Sequence, residues 1–188
     1  MKLILSSNSP RRRELLAGLD IPFEIRLVEG IDESYPDTLK TDEIAEFIAQ
    51  KKAAAYQIGH DEVLITADTI VVLDDQVLGK PVDAEDAKDM LRKLSGKTHQ
   101  VITGVCLKDY DKQHHFSVVS DVTFKTLSEE EIGYYVETYK PFDKAGAYGI
   151  QEWIGYIGVT GLHGSYFNVM GLPVQRIYEE LKKFKVSY

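Results

Sequence analysis

The order of elements along this sequence predicts an α/β fold, a mixed twisted sheet flanked by helices, on three observations. The apolar run Leu3-Ile4-Leu5 leads through Ser6-Ser7-Asn8-Ser9 into a helix start at Pro10, so the chain opens with a strand-loop-helix unit. Val63 to Leu73 is apolar and rich in β-branched residues apart from Thr66, Asp68 and Thr69, which predicts a central strand interrupted by a polar knuckle. Thr98 to Leu107 and His115 to Lys125 read as two further strands joined by a polar hairpin around Asp109 to Gln113.

The helices follow from caps and periodicity. Ser9 is the N-cap and Pro10 the first residue of a helix that runs to about Leu19. Phe23, Ile25 and Leu27 then alternate as in a half-buried strand. A second helix spans Asp42 to Ile58, with Ile44, Phe47, Ile48 and Ala55 on one stripe and Gly59 as its stop. Asp83 with Asp86 caps a third, in which Ala87, Met90, Leu91 and Leu94 keep helical spacing up to Gly96. Ser128 and Glu131 form a capping box, stapled by Leu127 and Ile132, for a fourth helix through Tyr135, Val136 and Tyr139. Residues 145–172 are Gly-rich and predict strands and loops, after which Pro173 opens an amphipathic helix through Val174, Ile177, Leu181 and Phe184. The sequence has no internal repeat or Pro/Ser-rich linker, so a single domain over residues 1–188 is expected, with a two-lobed build around a central cleft as the alternative.

Composition excludes several classes of function. With 188 residues, 44% of them hydrophobic, the chain can bury a core without staples. A net charge of -8 makes the bulk surface repel polyanions, so neither nucleic acid nor a membrane surface is an expected partner. Cys106, alone between Val105 and Leu107, excludes a disulfide framework and a Cys-based zinc site and reads as a small buried hydrophobe. The apolar run at the amino terminus is too short for a signal peptide, and no window approaches ~18 apolar residues; the cytoplasm is the expected location.

Four places concentrate chemistry. Ser7-Asn8-Ser9-Pro10-Arg11-Arg12-Arg13 puts hydroxyls, helix N-terminal amides and three cations at one strand-helix junction, where positive charge disfavours the helix unless an anion is bound there. Asp68 sits inside an apolar strand, where a carboxylate is costly unless it is paired, binds a metal or works as a base. Lys52, and Lys80 held between Gly79 and Pro81, offer positive charge; Glu33, in the acidic loop Glu29 to Glu33, is a second carboxylate for a hard cation, with a solvated surface loop as the alternative. In Asp143-Lys144-Ala145-Gly146-Ala147-Tyr148-Gly149-Ile150-Gln151, small residues allow close backbone approach and the Gln151 amide can both donate to and accept from a flat heterocycle. Walker and dinucleotide-binding glycine patterns are absent, and the five histidines have no metal-site spacing.

These stretches, with Ala67-Asp68-Thr69, Leu78-Gly79-Lys80-Pro81, Leu94-Ser95-Gly96-Lys97-Thr98-His99 and Gly171-Leu172-Pro173, resemble the Maf family of nucleoside triphosphate pyrophosphatases over almost the whole length. The resemblance implies a fold similar to the inosine triphosphate pyrophosphatases, the Maf/Ham fold. It also implies hydrolysis of a nucleoside triphosphate to monophosphate and pyrophosphate with Mg²⁺ or Mn²⁺. On this resemblance Asp68 is the proton acceptor, Ser7, Arg12, Lys52 and Lys80 bind the substrate phosphates, and Glu33, or Asp32 as its alternative, with Asp68 serves the metal. Arg11, Thr69 and Gln151 match the subgroup that prefers dTTP and UTP, whereas the methylguanosine-type subgroup carries tryptophan in place of Arg11. The family also suggests a homodimer and links to misincorporation control and cell division arrest. The competing expectations are a non-catalytic nucleotide-binding regulator of septum formation and a phosphoryl transferase with an acceptor other than water.

Overall fold

A computed structural model describes residues 1–186; the last two residues of the expected domain, Ser187 and Tyr188, lie outside the described residues. The chain runs β1 (Lys2–Ser6), α1 (Pro10–Ala17), β2 (Phe23–Ile25), α2 (Thr41–Ala54), β3 (Glu62–Leu73), β4 (Gln76–Leu78), α3 (Ala84–Leu94), β5 (Thr98–Lys108), β6 (Gln113–Phe124), α4 (Glu129–Tyr139), α5 (Trp153–Gly158), β7 (Val159–His163), α6 (Tyr166–Met170) and α7 (Val174–Leu181). Strand order is β2-β1-β3-β5-β6-β7, with β4 on β3. β1 pairs parallel with β2 and β3, while β3–β4 and β6–β7 are antiparallel, so the sheet is mixed. The chain divides into two compact units, Met1–Thr69 with Thr103–Val118 and from Gly171 onward, and Ile70–Ile102 with Val119–Met170.

In the first unit, Leu3, Ile4 and Leu5 of β1 are buried, and Leu15 and Leu16 of α1 and Ile44, Ile48 and Ala49 of α2 are buried with them. Two contacts set α2 against the strands. Thr66, buried mid-strand in β3, donates its hydroxyl to the Ala49 carbonyl at 2.6 Å. Gly104 of β5 lies where a Cβ would come within 2.2 Å of the α2 backbone at Ala45 and Glu46, so glycine is needed there for close approach. In the second unit, Leu91, Val122, Phe124, Ile132 and Tyr135 belong to one apolar cluster under α3 and α4. Both predicted caps form: the Asp83 carboxylate accepts from the Asp86 amide at 2.8 Å, and Ser128 and Glu131 exchange hydrogen bonds at 3.1 and 2.9 Å.

Several expected boundaries are corrected. Strand β2 stops at Ile25 and Leu27 is exposed, because the Tyr56 hydroxyl, instead of a strand, pairs with the backbone that follows, donating to Arg26 O at 3.1 Å and accepting from Val28 N at 3.0 Å. Helix α1 ends at Ala17, with Gly18 as its cap. Helix α2 ends at Ala54 rather than Ile58; the Lys108 ammonium takes up the Ala53 and Tyr56 carbonyls there, each at 3.0 Å. Strand β3 runs through Asp68 without the expected interruption. Residues 145–172 hold two short helices, α5 and α6, which a Gly-rich sequence does not advertise.

Candidate active site

The loop after β1 turns on its own side chains. The Ser7 hydroxyl accepts from the Ser9 amide at 3.1 Å, and Ser9 accepts from the Arg12 amide as N-cap. No acid occupies the first turn of α1, so the macrodipole there is left for another anion. The three arginines diverge. Arg13 turns back to the Ser7 carbonyl at 3.2 Å, Arg11 is half-buried, and Arg12 points inward.

Arg12 grips both neighbours of the aspartate and the Gly171 carbonyl. Its Nε donates to Gly171 O at 2.8 Å, Nη1 to Ala67 O at 3.1 Å and Nη2 to the Thr69 hydroxyl at 3.0 Å. Burial lowers the guanidinium from its usual value and the nearby Asp68 charge raises it back in part. Thr69 is held a second time by the buried hydroxyl of Thr103 at 2.9 Å. Gly171, at φ +121°, is the turn that lets its carbonyl face Arg12.

Lys52, in the last turn of α2, reaches three acceptors: Asp68 Oδ1 at 2.9 Å, Ala67 O at 3.3 Å and Glu33 Oε1 at 3.2 Å. The Lys52 and Asp68 side chains are each 14% exposed and Glu33 is 55% exposed, so a nearly buried ion pair carries an accessible carboxylate on its rim. Its neighbour Asp32 is committed elsewhere. Asp32 accepts from the Ser34 hydroxyl at 2.7 Å and from Lys51 at 2.9 Å, and these bonds, Ser34 first, hold its carboxyl well below the usual range. Of the two acids the sequence offers in this loop, Glu33 is the one beside Asp68.

Lys80 and Gln151 belong to the second unit. Lys80 is exposed after β4, and the Gly79 carbonyl before it accepts from Gly146 N at 3.1 Å, which ties this loop to the Gly-rich segment. Gln151 lies in a turn closed by Glu152 N donating to Gly149 O at 3.0 Å. Its Oε1 is buried and has no hydrogen-bond partner among the described residues, an acceptor left open in an otherwise satisfied turn.

Two carboxylates, one of them accessible, suit Mg²⁺ or Mn²⁺, because a hard cation in a phosphate site takes one or two protein carboxylates and completes its shell from phosphate and water. Asp68 Oδ2 has no protein partner among the described residues, whereas Oδ1 is taken by Lys52. No cluster of three or more His, Cys, Asp or Glu side chains that could hold a metal alone occurs among the described residues.

The sequence profile described as Maf-like protein matches residues 2–184. The chain belongs to the Maf family. A Phocaeicola vulgatus protein named dTTP/UTP pyrophosphatase is 65% identical over 184 residues, covering 97% of this chain and 95% of that one. A Parabacteroides distasonis protein of the same name is 60% identical over 185 residues, 97% and 96% of the two chains. Among solved structures, the Staphylococcus aureus Ham1 protein aligns over 98% of this chain and 100% of that chain at 14% identity and a TM-score of 0.47.

Within this Maf-family chain the first unit holds Glu33, Lys52, Asp68, Thr69 and Arg12, linked by ion pairs and hydrogen bonds, and Ser7 in the loop after β1. Sequence reasoning passed over Thr103 and Tyr56. The signal for Thr103 was present as a hydroxyl inside the apolar run Val101 to Leu107; Tyr56, in the polar stretch after α2, had none. Cys106 is fully buried, as expected, and burial pushes its thiol up to about 11.

Proposed function

We propose that the chain hydrolyses dTTP and UTP to the monophosphate and pyrophosphate, as one cytoplasmic domain. The observation that carries this is Lys52 holding Asp68 and Glu33 together, in a chain of the Maf family whose relatives bear that activity in their names. Helix α1 offers N-terminal amides and the Ser7 hydroxyl to phosphate oxygens. No helix among the described residues is long and apolar enough to cross a membrane.

Asp68 takes a proton from water as the water oxygen bonds to the α-phosphorus. The bond from that phosphorus to the α,β-bridging oxygen breaks and pyrophosphate leaves with its electron pair. One water is consumed and no covalent enzyme intermediate is required. Lys52 orients Asp68 through Oδ1 and keeps Oδ2 directed to the reaction, while Lys52 and Lys80 offset phosphate charge. Asp68 and Glu33 are the residues that would hold Mg²⁺ or Mn²⁺, which neutralises charge on the phosphates. Arg11, Thr69 and Gln151 set the choice of base; the open Gln151 acceptor suits the imide N–H of thymine or uracil.

The test is pyrophosphate release from a panel of nucleoside triphosphates with Mg²⁺ or Mn²⁺, on wild type and Asp68→Asn in parallel. Release from dTTP and UTP is expected, with turnover lowered at least ~10²-fold in the variant. Chelation of the metal should abolish it. Silence across the panel in folded protein would favour a nucleotide-binding regulator, and nucleoside diphosphate as product would favour a transferase. Light scattering tests the homodimer that the family suggests.

A further inference from the structure

Tyr135, fully buried on α4, has a hydroxyl that bridges both ends of a single turn. It accepts from Gly149 N at 3.0 Å and donates to Glu152 Oε1 at 3.2 Å. These are the first and last residues of the turn closed by Glu152 N to Gly149 O, and Gln151 is its third residue. The turn is closed by backbone alone, and the ring packs beside Tyr139 at 5.2 Å between centroids, so phenylalanine would keep the ring packing and lose only the two hydrogen bonds of the hydroxyl. What the hydroxyl adds is a fixed spacing between Gly149 and Glu152.

That spacing governs Gln151. A Cβ on Gly149 would stand 2.6 Å from Glu152 Oε1 and 2.9 Å from Gln151 Nε2, so the amide of Gln151 folds directly over the glycine that Tyr135 holds. Lys144 completes the frame, its ammonium 3.2 Å from Glu152 Oε1. Burial keeps the Tyr135 phenol protonated well beyond the ordinary range, so the donor is present at any working pH.

We infer that Tyr135 is a positioning residue for base selection: by bridging Gly149 and Glu152 it aims the Gln151 amide at the nucleobase edge. The inference rests on the pyrimidine triphosphate reading of the chain. It predicts a residue outside the glycine-rich segment, on a different helix, whose loss changes selectivity instead of chemistry.

The experiment compares Tyr135→Phe with wild type on dTTP, UTP and dATP, reading kcat and KM separately. Expected is a fall in kcat/KM for dTTP and UTP of about threefold to tenfold, carried by KM, with dATP within about twofold, as loss of one positioning hydrogen bond would give. In a Gln151→Ala background the same substitution should add nothing. Equal losses on all three nucleotides, an unchanged dTTP:dATP ratio, or effects that multiply with Gln151→Ala would overturn it. If Tyr135→Phe does not fold, Glu152→Ala releases the other end of the bridge and must shift the ratio in the same direction; a wild-type ratio there overturns the inference. Wild type inactive on dTTP and UTP is a separate result, which removes the function reading and this inference with it.

Discussion

The Lys52 ammonium donates to Asp68 Oδ1 across 2.9 Å, joining the last turn of α2 to the middle of β3. A carboxylate in an apolar strand is tolerable because a cation from the neighbouring helix meets it there. The same lysine reaches Glu33 Oε1 at 3.2 Å, so one cation bridges both carboxylates.

Lys52→Met leaves Asp68 and Glu33 without their shared cation. Pyrophosphate release from dTTP should fall by about 10²-fold, the usual scale for removing one electrostatic donor from a reacting centre. Steady-state kinetics with circular dichroism as a folding control checks this; activity within a few-fold of wild type would remove Lys52 from the mechanism.

Arg12→Lys cannot reproduce three donations in three directions to Gly171, Ala67 and Thr69. Unfolding in denaturant, without nucleotide, should show a loss on the order of 2–4 kcal/mol from buried acceptors left unpaired. A residue serving only as a phosphate ligand would give no such loss in the nucleotide-free protein.

Gly104→Ala places a methyl group against the α2 backbone at Ala45 and Glu46. Backbone on both sides cannot yield as a side chain can, so the cost is about 3 kcal/mol or more. Thermal unfolding of the purified variant measures it, and a melting point equal to wild type would contradict the close approach.

Stability should also depend on His99. Burial lowers its imidazole to about 4 from an ordinary value of 6.5, while its Nε2 meets the Tyr148 hydroxyl at 2.5 Å. The folded value is the lower one, so the unfolded chain binds the proton first. The stabilisation is present above about pH 6.5 and is lost as pH falls toward 4. Between about pH 7.5 and about pH 5.5 the loss amounts to about 1 kcal/mol, and His99→Gln should remove that slope from the unfolding free energy. An identical slope in the variant would assign the dependence to other groups.

The predicted caps at Asp83 and Ser128 were legible because they depend on residues three apart, within reach of one turn. Asp68 stood out for a comparable reason, a charge among apolar neighbours whose cost can be judged locally. Arg12 was legible as a special residue but not in its use. Nothing near it in sequence names Gly171 or Thr69, which the fold delivers from 159 and 57 residues away. The early end of β2 was hidden likewise, since it follows from a hydroxyl on Tyr56 that arrives 30 residues later.

By itself the sequence determined the element types before residue 145, the Maf family motifs and the set of charged and amide groups available for nucleotide chemistry, but not the two short helices of residues 145–172. Periodicity and capping are local, and a motif is a string. Tertiary structure decided which acid stands beside Asp68, that Arg12 holds the Ala67 carbonyl and the Thr69 hydroxyl on either side of it, and that Tyr135 frames the turn carrying Gln151. Each of these is a hydrogen bond or ion pair between distant positions. Its existence depends on distances of about 3 Å that only the packing of helix on sheet brings about.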